Sequence, residues 1–216
     1  MPPTAENLQS IEKYTRRAAG YDATTGRTWP IRERCIALMG LRSGETALDV
    51  GCGTGLSFEL LARAVDTSGR VLAFEQSAAM HEHAAARAQA LRSLGYRIDL
   101  QLASAEDVRL PASPDAVLMH YVHDITRTPS ALCNLLAQWL PGTRVVIAGM
   151  KFFPWWLAPL NLLAWLKNRP YNVRAAELHR PWSLIEPYLE DFRVESTQCG
   201  MGYIGHGRVV STGDPR

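Results

Sequence analysis

The 216-residue chain has little charge of either sign in excess: 23 basic and 21 acidic residues leave +2. So small an imbalance argues against a nucleic-acid partner, whose phosphates need a basic face. Cysteines are few. Cys35, Cys52, Cys133 and Cys199 show neither zinc-ligand spacing nor a disulfide framework, which fits a reducing cytoplasm. No repeat and no low-complexity tract is present. Met1-Pro2-Pro3-Thr4-Ala5-Glu6 has no basic start and no apolar stretch behind it, so no signal peptide is expected there. The most apolar stretch, Phe152 to Leu166, is interrupted by Pro154, Pro159 and Asn161 and is too short to span a bilayer. What remains is a 47% hydrophobic chain, long enough for one domain with a sizeable core.

Ala47-Leu48-Asp49-Val50-Gly51-Cys52-Gly53-Thr54-Gly55 is the stretch that carries chemistry. An apolar run with one acid reads as a buried parallel strand. Alternate glycines then form a turn against which a ligand can lie, since glycine has no Cβ and takes positive φ freely. A helix from about Leu56 to Ala64 would point its free N–H groups at that turn. The dinucleotide fingerprint has glycine at its first, third and sixth positions; here the glycines fall at the first, third and fifth. Asp49 would repel a pyrophosphate at close range but suits an ammonium. S-adenosylmethionine carries an ammonium and no phosphate. These residues resemble motif I of the class I S-adenosylmethionine-dependent methyltransferases, acid-x-Gly-x-Gly-x-Gly.

Four later runs are similar to that family in order. Val71-Leu72-Ala73-Phe74 ends in Glu75, and an acid at this strand tip can bond a ribose. Asp99 to Leu102 leads to Ala103-Ser104-Ala105-Glu106-Asp107, which looks like the adenine-contacting segment; the family often has Asp where this chain has Ser104. Pro114 to Met119 resembles motif IV and runs into His120-Tyr121-Val122-His123-Asp124. Thr143 to Gly149 follows a Leu140-Pro141-Gly142 turn. The resemblance implies an α/β fold: a doubly wound, mostly parallel seven-stranded sheet of order 3-2-1-4-5-7-6, Rossmann-like, in a single domain with a lid insertion. It implies S-adenosylmethionine as cofactor. Asp49, Gly51, Cys52, Gly53, Gly55 and Leu56 would hold the methionine part, and Glu75 with Gln76 the ribose. Ser104, Ala105 and Glu106 would border the adenine. His120 would lie beside the ligand, as would Tyr21, which sits in an entry segment similar to that of small methyltransferases.

His120 and His123 follow a strand at its carboxyl end, where such folds place their sites. They are candidate general bases, because an unperturbed histidine titrates near working pH; the competing reading is an ordinary polar loop. Cys52 tempts a nucleophile reading, but small residues simply fit such turns, and a helix N-terminus would lower its thiol pKa whatever its role. His81 and His83 point to different faces of one helix and read as solvated. No metal is expected.

Residues 1–42 read as N-terminal helices (Glu6 to Arg17, Thr28 to Leu41), 43–150 as the cofactor core, 151–190 as a substrate lid and 191–216 as closing strands. Ser77 to Ser93 reads as a helix with Ser77 as N-cap. Pro129 to Trp139 reads as another, with Thr128 as N-cap and proline in the first helical position. In the lid, Trp155, Trp156 and Trp165 would form an apolar wall over the substrate. A core helix, an interfacial membrane contact and a homodimer patch compete with that reading, the membrane contact being disfavoured. The expected function is methyl transfer to a small apolar or amphipathic metabolite: a secondary metabolite, lipid amine or quinone-like acceptor. The alternative is a cyclase that uses the sulfonium charge without methyl transfer.

Overall fold

In the computed structural model, residues 28–153, 161 and 178–210 are described. The expected helix at Glu6 to Arg17, Tyr21, and the three lid tryptophans Trp155, Trp156 and Trp165 lie outside them. The chain enters through α1 (Trp29–Met39) and alternates thereafter: β1 (Thr46–Val50), α2 (Phe58–Val65), β2 (Arg70–Glu75), α3 (Ala78–Ser93), β3 (Ile98–Leu102), β4 (Ala116–His120), the single turn α4 (His123–Thr126), α5 (Pro129–Leu136) and β5 (Arg144–Met150). Two further strands close the sheet, β6 (Leu189–Thr197) and β7 (Gly202–Val209). The order is β3-β2-β1-β4-β5-β7-β6, with β1 to β5 parallel and β7 antiparallel to both neighbours. This is the doubly wound, mostly parallel architecture expected.

Alternation along the buried strands builds two cores. Ala47, Val71, Ala73, Leu118 and Val146 face α1, α2 and α3 with Cys35, Met39, Phe58 and Leu61. Leu48, Val50, Leu72, Phe74, Val117 and Met119 face the other way, with Leu132 and Leu135 of α5 and with Tyr203 and Ile185. The central strands are apolar on both faces because both faces are covered.

Local chemistry shifts several boundaries. The helix after the glycine turn starts at Phe58, two residues later than expected, because Gly55 N–H bonds Cys52 O and Phe58 N–H bonds Gly55 O in successive turns. The α5 helix ends at Leu136 instead of Trp139: Trp139 N–H bonds Leu136 O in a tighter turn, and Pro141 disfavours helical backbone at Leu140. Ser77 and Thr128 precede their helices, but neither side chain caps one. The Thr128 hydroxyl instead donates to Asp124 O (2.7 Å).

Candidate active site

The carboxyl ends of β1, β2 and β4 open onto one cavity. At β1 the backbone enters the glycine turn with φ of 58° at Gly51, 59° at Gly53 and 79° at Gly55. A Cβ on Gly51 would sit 3.0 Å from Val122 Cγ1 and 3.1 Å from Ile125 Cδ1. Glycine there keeps both the turn and the approach of the segment after β4. Around Gly53 a Cβ would meet nothing within 4 Å among the described residues; that bare backbone faces the cavity.

Glu75, at the tip of β2, holds this cradle together. One carboxylate oxygen accepts Gly53 N–H (3.0 Å) and the other accepts Ser77 N–H (2.7 Å), just before α3. Burial raises the Glu75 pKa, and the backbone N–H groups of Ser77, Gly53 and Gln76 pull it back down. The carboxylate ties turn to helix while still lining the cavity, as a ribose-binding acid would need to.

Asp49 is placed differently. It is 2% exposed and does not line the cavity. Burial pushes its carboxyl up to about 7, against the opposing pull of the Arg32 guanidinium and a hydrogen bond from Ser57. Arg32, on α1, is itself buried and donates to Ser57 Oγ. Asp49, Arg32 and Ser57 therefore form a polar layer behind the turn, with Asp49 Oδ2 buried and without a hydrogen-bond partner among the described residues. Sequence gave no sign of Arg32, since an arginine on an amphipathic helix reads as solvated.

Cys52 is buried and its thiol is pushed well above its ordinary pKa by burial and the nearby acids Asp49 and Glu75. Desolvation overrides the lowering expected from a helix N-terminus, so the thiol is protonated and inert.

Across the cavity, β4 ends at His120. Its Nε2 is buried without a hydrogen-bond partner among the described residues. Burial and the Arg32 charge hold its pKa well below the usual histidine value, so the ring is neutral with proton-accepting capacity. Tyr121 follows with φ 60° and lies edge-on to His120, ring centroids 4.8 Å apart. His123 is turned away from the lining; its Nε2 accepts Met150 N–H at 2.9 Å.

Of the expected site residues the fold brings Gly51, Gly53, Glu75, Gln76, Ala105 and His120 around one space. It sets Asp49, Cys52, Gly55, Leu56, Ser104, Glu106 and His123 off that lining. Ser104 is engaged in a local turn, its hydroxyl 2.9 Å from Asp107 Oδ2. Phe74, Met80, Val122 and Ile125 line the space and were not expected. Val122 and Ile125 stand three apart after β4, a spacing that puts both on one side of a helical turn and could have flagged them.

Residues 47–141 match the family model described as a methyltransferase domain. That stretch is similar to methyltransferase domains, and the strand order and the glycine cradle are those of the Rossmann-like fold of class I S-adenosylmethionine-dependent methyltransferases, whose members bind S-adenosylmethionine. A 2-phytyl-1,4-naphtoquinone methyltransferase from Synechococcus elongatus is 33% identical over 50% of this chain and 47% of its own length. A demethylmenaquinone methyltransferase from Symbiobacterium thermophilum is 27% identical, covering 82% of this chain and 81% of that one. The chain spans less than half the length of four curated relatives it matches, 36% to 47%. Among solved structures, an N-methyltransferase from Bradyrhizobium japonicum in complex with S-adenosyl-L-homocysteine superposes with a TM-score of 0.63 at 15% identity, over 93% of this chain and 97% of that one. At that identity the likeness is one of fold. The residues present fit the cofactor: a bare glycine turn, an acid at the tip of β2, and an apolar floor of Phe74 and Met80.

Proposed function

We propose that this protein transfers a methyl group to a small, largely apolar acceptor with an ionisable ring hydroxyl, a quinol-like compound. The observation that carries the reading is His120, which lines the cavity and whose buried Nε2 has no hydrogen-bond partner among the described residues. Two relatives named for quinone substrates support the acceptor class. S-adenosylmethionine, when bound, supplies an electrophilic methyl on a sulfonium that departs as the neutral thioether. The chain has three tasks. The glycine turn and Glu75 orient the donor, and orientation supplies most of the rate in a displacement that brings its own leaving group. Phe74, Met80, Val122 and Ile125 exclude water from that space. His120 takes the acceptor's hydroxyl proton at Nε2 as the ring becomes nucleophilic. The low His120 pKa keeps the ring neutral and ready, and ion pairing with the phenolate would offset its weak basicity.

Among the described residues no helix is long and apolar enough to cross a membrane. The test is incubation with methyl-labelled donor and a panel of naphthohydroquinones, lipid amines and phenols, with S-adenosylhomocysteine and labelled product read by mass spectrometry. Product from the hydroquinones alone supports the reading. Product from amines alone, or cofactor turnover without label transfer as in a cyclase, overturns it.

A further inference from the structure

The two histidines after β4 look interchangeable in sequence, yet the structure gives them opposite surroundings. In the parallel pairing of β4 with β5, His120 lies opposite Ala148. Tyr121 N–H bonds Ala148 O (2.7 Å), and there the ladder stops. The next β5 amide that would look toward β4 belongs to Met150, and no β4 residue reaches it. His123 does: the single turn α4 carries its ring back over β5, and Nε2 accepts that amide proton at 2.9 Å. A backbone amide only donates, so the Nε2 lone pair is consumed and the neutral ring carries its proton on Nδ1.

Two separate features show that the contact is built in. A Cβ on Gly149 would fall 2.5 Å from His123 Cε1 and 2.9 Å from Nε2, so only glycine leaves room for the ring. Tyr121 holds a left-handed conformation (φ 60°) that a residue of its type keeps only where its surroundings over-determine it. Its ring lies edge-on to both His120 and His123, with centroids 4.8 and 6.3 Å away.

We propose that His123 is a positioning residue: it clips the segment after β4 to the end of β5 and so fixes His120 and Tyr121 at the cavity wall. It is not a second base, because its available lone pair already holds Met150. The kinetic part of this proposal rests on the methyl-transfer reading; the clip itself does not.

The experiment compares His123→Leu with His123→Gln, whose Oε1 can accept the same amide proton. The exchange and tautomer measurements use the full chain saturated with S-adenosylhomocysteine; the kinetics vary S-adenosylmethionine. Met150 amide exchange should accelerate at least about tenfold in His123→Leu, as local opening replaces a closed contact, and return near the wild-type rate in His123→Gln. Long-range nitrogen–proton spectra of the wild type should show the proton on Nδ1. With a naphthohydroquinone acceptor, His123→Leu should lower kcat about tenfold with little change in the KM for S-adenosylmethionine, the pattern of a disturbed transition state. His123→Gln should recover to within about threefold, far from a general-base loss. Equal inactivity of both variants with Met150 still protected would make His123 a base and overturn the proposal. So would unaltered Met150 exchange in His123→Leu, or a wild-type proton on Nε2. If His123→Leu does not fold, the wild-type tautomer and His123→Gln decide. If no hydroquinone turns over, the function proposed above fails, while exchange and tautomer still decide the clip.

Discussion

The tips of β1 and β2 and the segment that follows β4 form two sides of one cavity wall, and they are tied by opposite means. On the first side a carboxylate, Glu75, gathers backbone N–H groups from the glycine turn and from the start of α3. On the second a neutral imidazole, His123, satisfies the single amide left over where β4 stops short. The first side presents oriented backbone and a carboxylate, which suits a polar ligand. The second presents imidazole, phenol and aliphatic groups, whose positions depend on a strained turn. On the function proposed above, recognition of the cofactor falls to the first, and chemistry particular to the acceptor to the second.

The sharpest way to break this division is His120→Ala. With a hydroquinone acceptor, turnover should fall about 10²–10⁴-fold, the range for a lost general base, while calorimetric affinity for S-adenosylhomocysteine stays within about threefold, a small change beside that loss. Because burial and Arg32 depress the His120 pKa, the acid limb of the wild-type kcat/KM profile should lie below the ordinary histidine value of about 6.5. An acid limb at or above that value, or a drop in affinity that accounts for the lost turnover, would move His120 to the cofactor side.

The second measurement is stability against pH in the cofactor-free protein, where the two halves have opposite signs. The Asp49 carboxyl is raised to about 7, so its contribution is fully present below its unfolded value of about 3.9 and is lost as pH rises through 7. The full loss is on the order of 4 kcal/mol for a shift of this size. The lowered His120 pKa works the other way: its contribution is present above about 6.5 and lost as pH falls through the folded value. Between pH 5 and 8 the melting temperature should therefore fall, Asp49→Asn should make the fall shallower, and His120→Ala should make it steeper by removing an opposing rise at the acid end. A melting temperature that climbs across that interval in the wild type and in Asp49→Asn alike would show that Asp49 ionises freely in the fold.

Third in size is Glu75→Ala. Losing a charged acceptor that serves backbone donors and the ligand side together should weaken S-adenosylhomocysteine binding by about 1–3 kcal/mol. Unchanged affinity would mean that Glu75 ties the turn and nothing more.

The same division explains what could be read from the chain alone. The glycine turn and Glu75 are encoded locally, in residues whose backbone freedom or charge has one obvious use, whereas the strand order was legible only through the family resemblance that these motifs carry. Asp49 was legible as an acid near the turn but not as a buried one, because its surroundings come from Arg32 on α1 and Ser57 beyond the turn. His120 and His123 are three residues apart and identical in type. Which one faces the cavity is decided by where β4 ends relative to β5 and by the room that Gly149 leaves, and neither leaves a mark in the spacing. Met80 and Phe74 are almost wholly buried in the core; only the tips of β1, β2 and β4 coming together make them a floor.

The smallest effect tests the edge of the first half. Ser104 occupies the place where a side chain contact to the adenine would be expected, yet its hydroxyl is taken up by Asp107, both to the side chain (2.9 Å) and to the backbone N–H (3.2 Å). The cavity is lined instead by Ala103 and Ala105 on either side of it. That segment is fixed from behind: Asn134 of α5 donates to Ala105 O (2.9 Å) and to Val108 O (3.1 Å), and Gln138 accepts Leu110 N–H (2.8 Å). A position held by its neighbours' backbone does not depend on its own side chain. Ser104→Ala should therefore cost about 1 kcal/mol of stability for two partly exposed hydrogen bonds, and leave cofactor affinity within about threefold, well under the loss from Glu75→Ala. Asn134→Ala should do the reverse, loosening the segment and weakening binding by more than Ser104→Ala does. A larger affinity loss for Ser104→Ala than for Asn134→Ala would show that the hydroxyl leaves Asp107 to meet the ligand, and that this half of the wall reads its ligand through side chains after all.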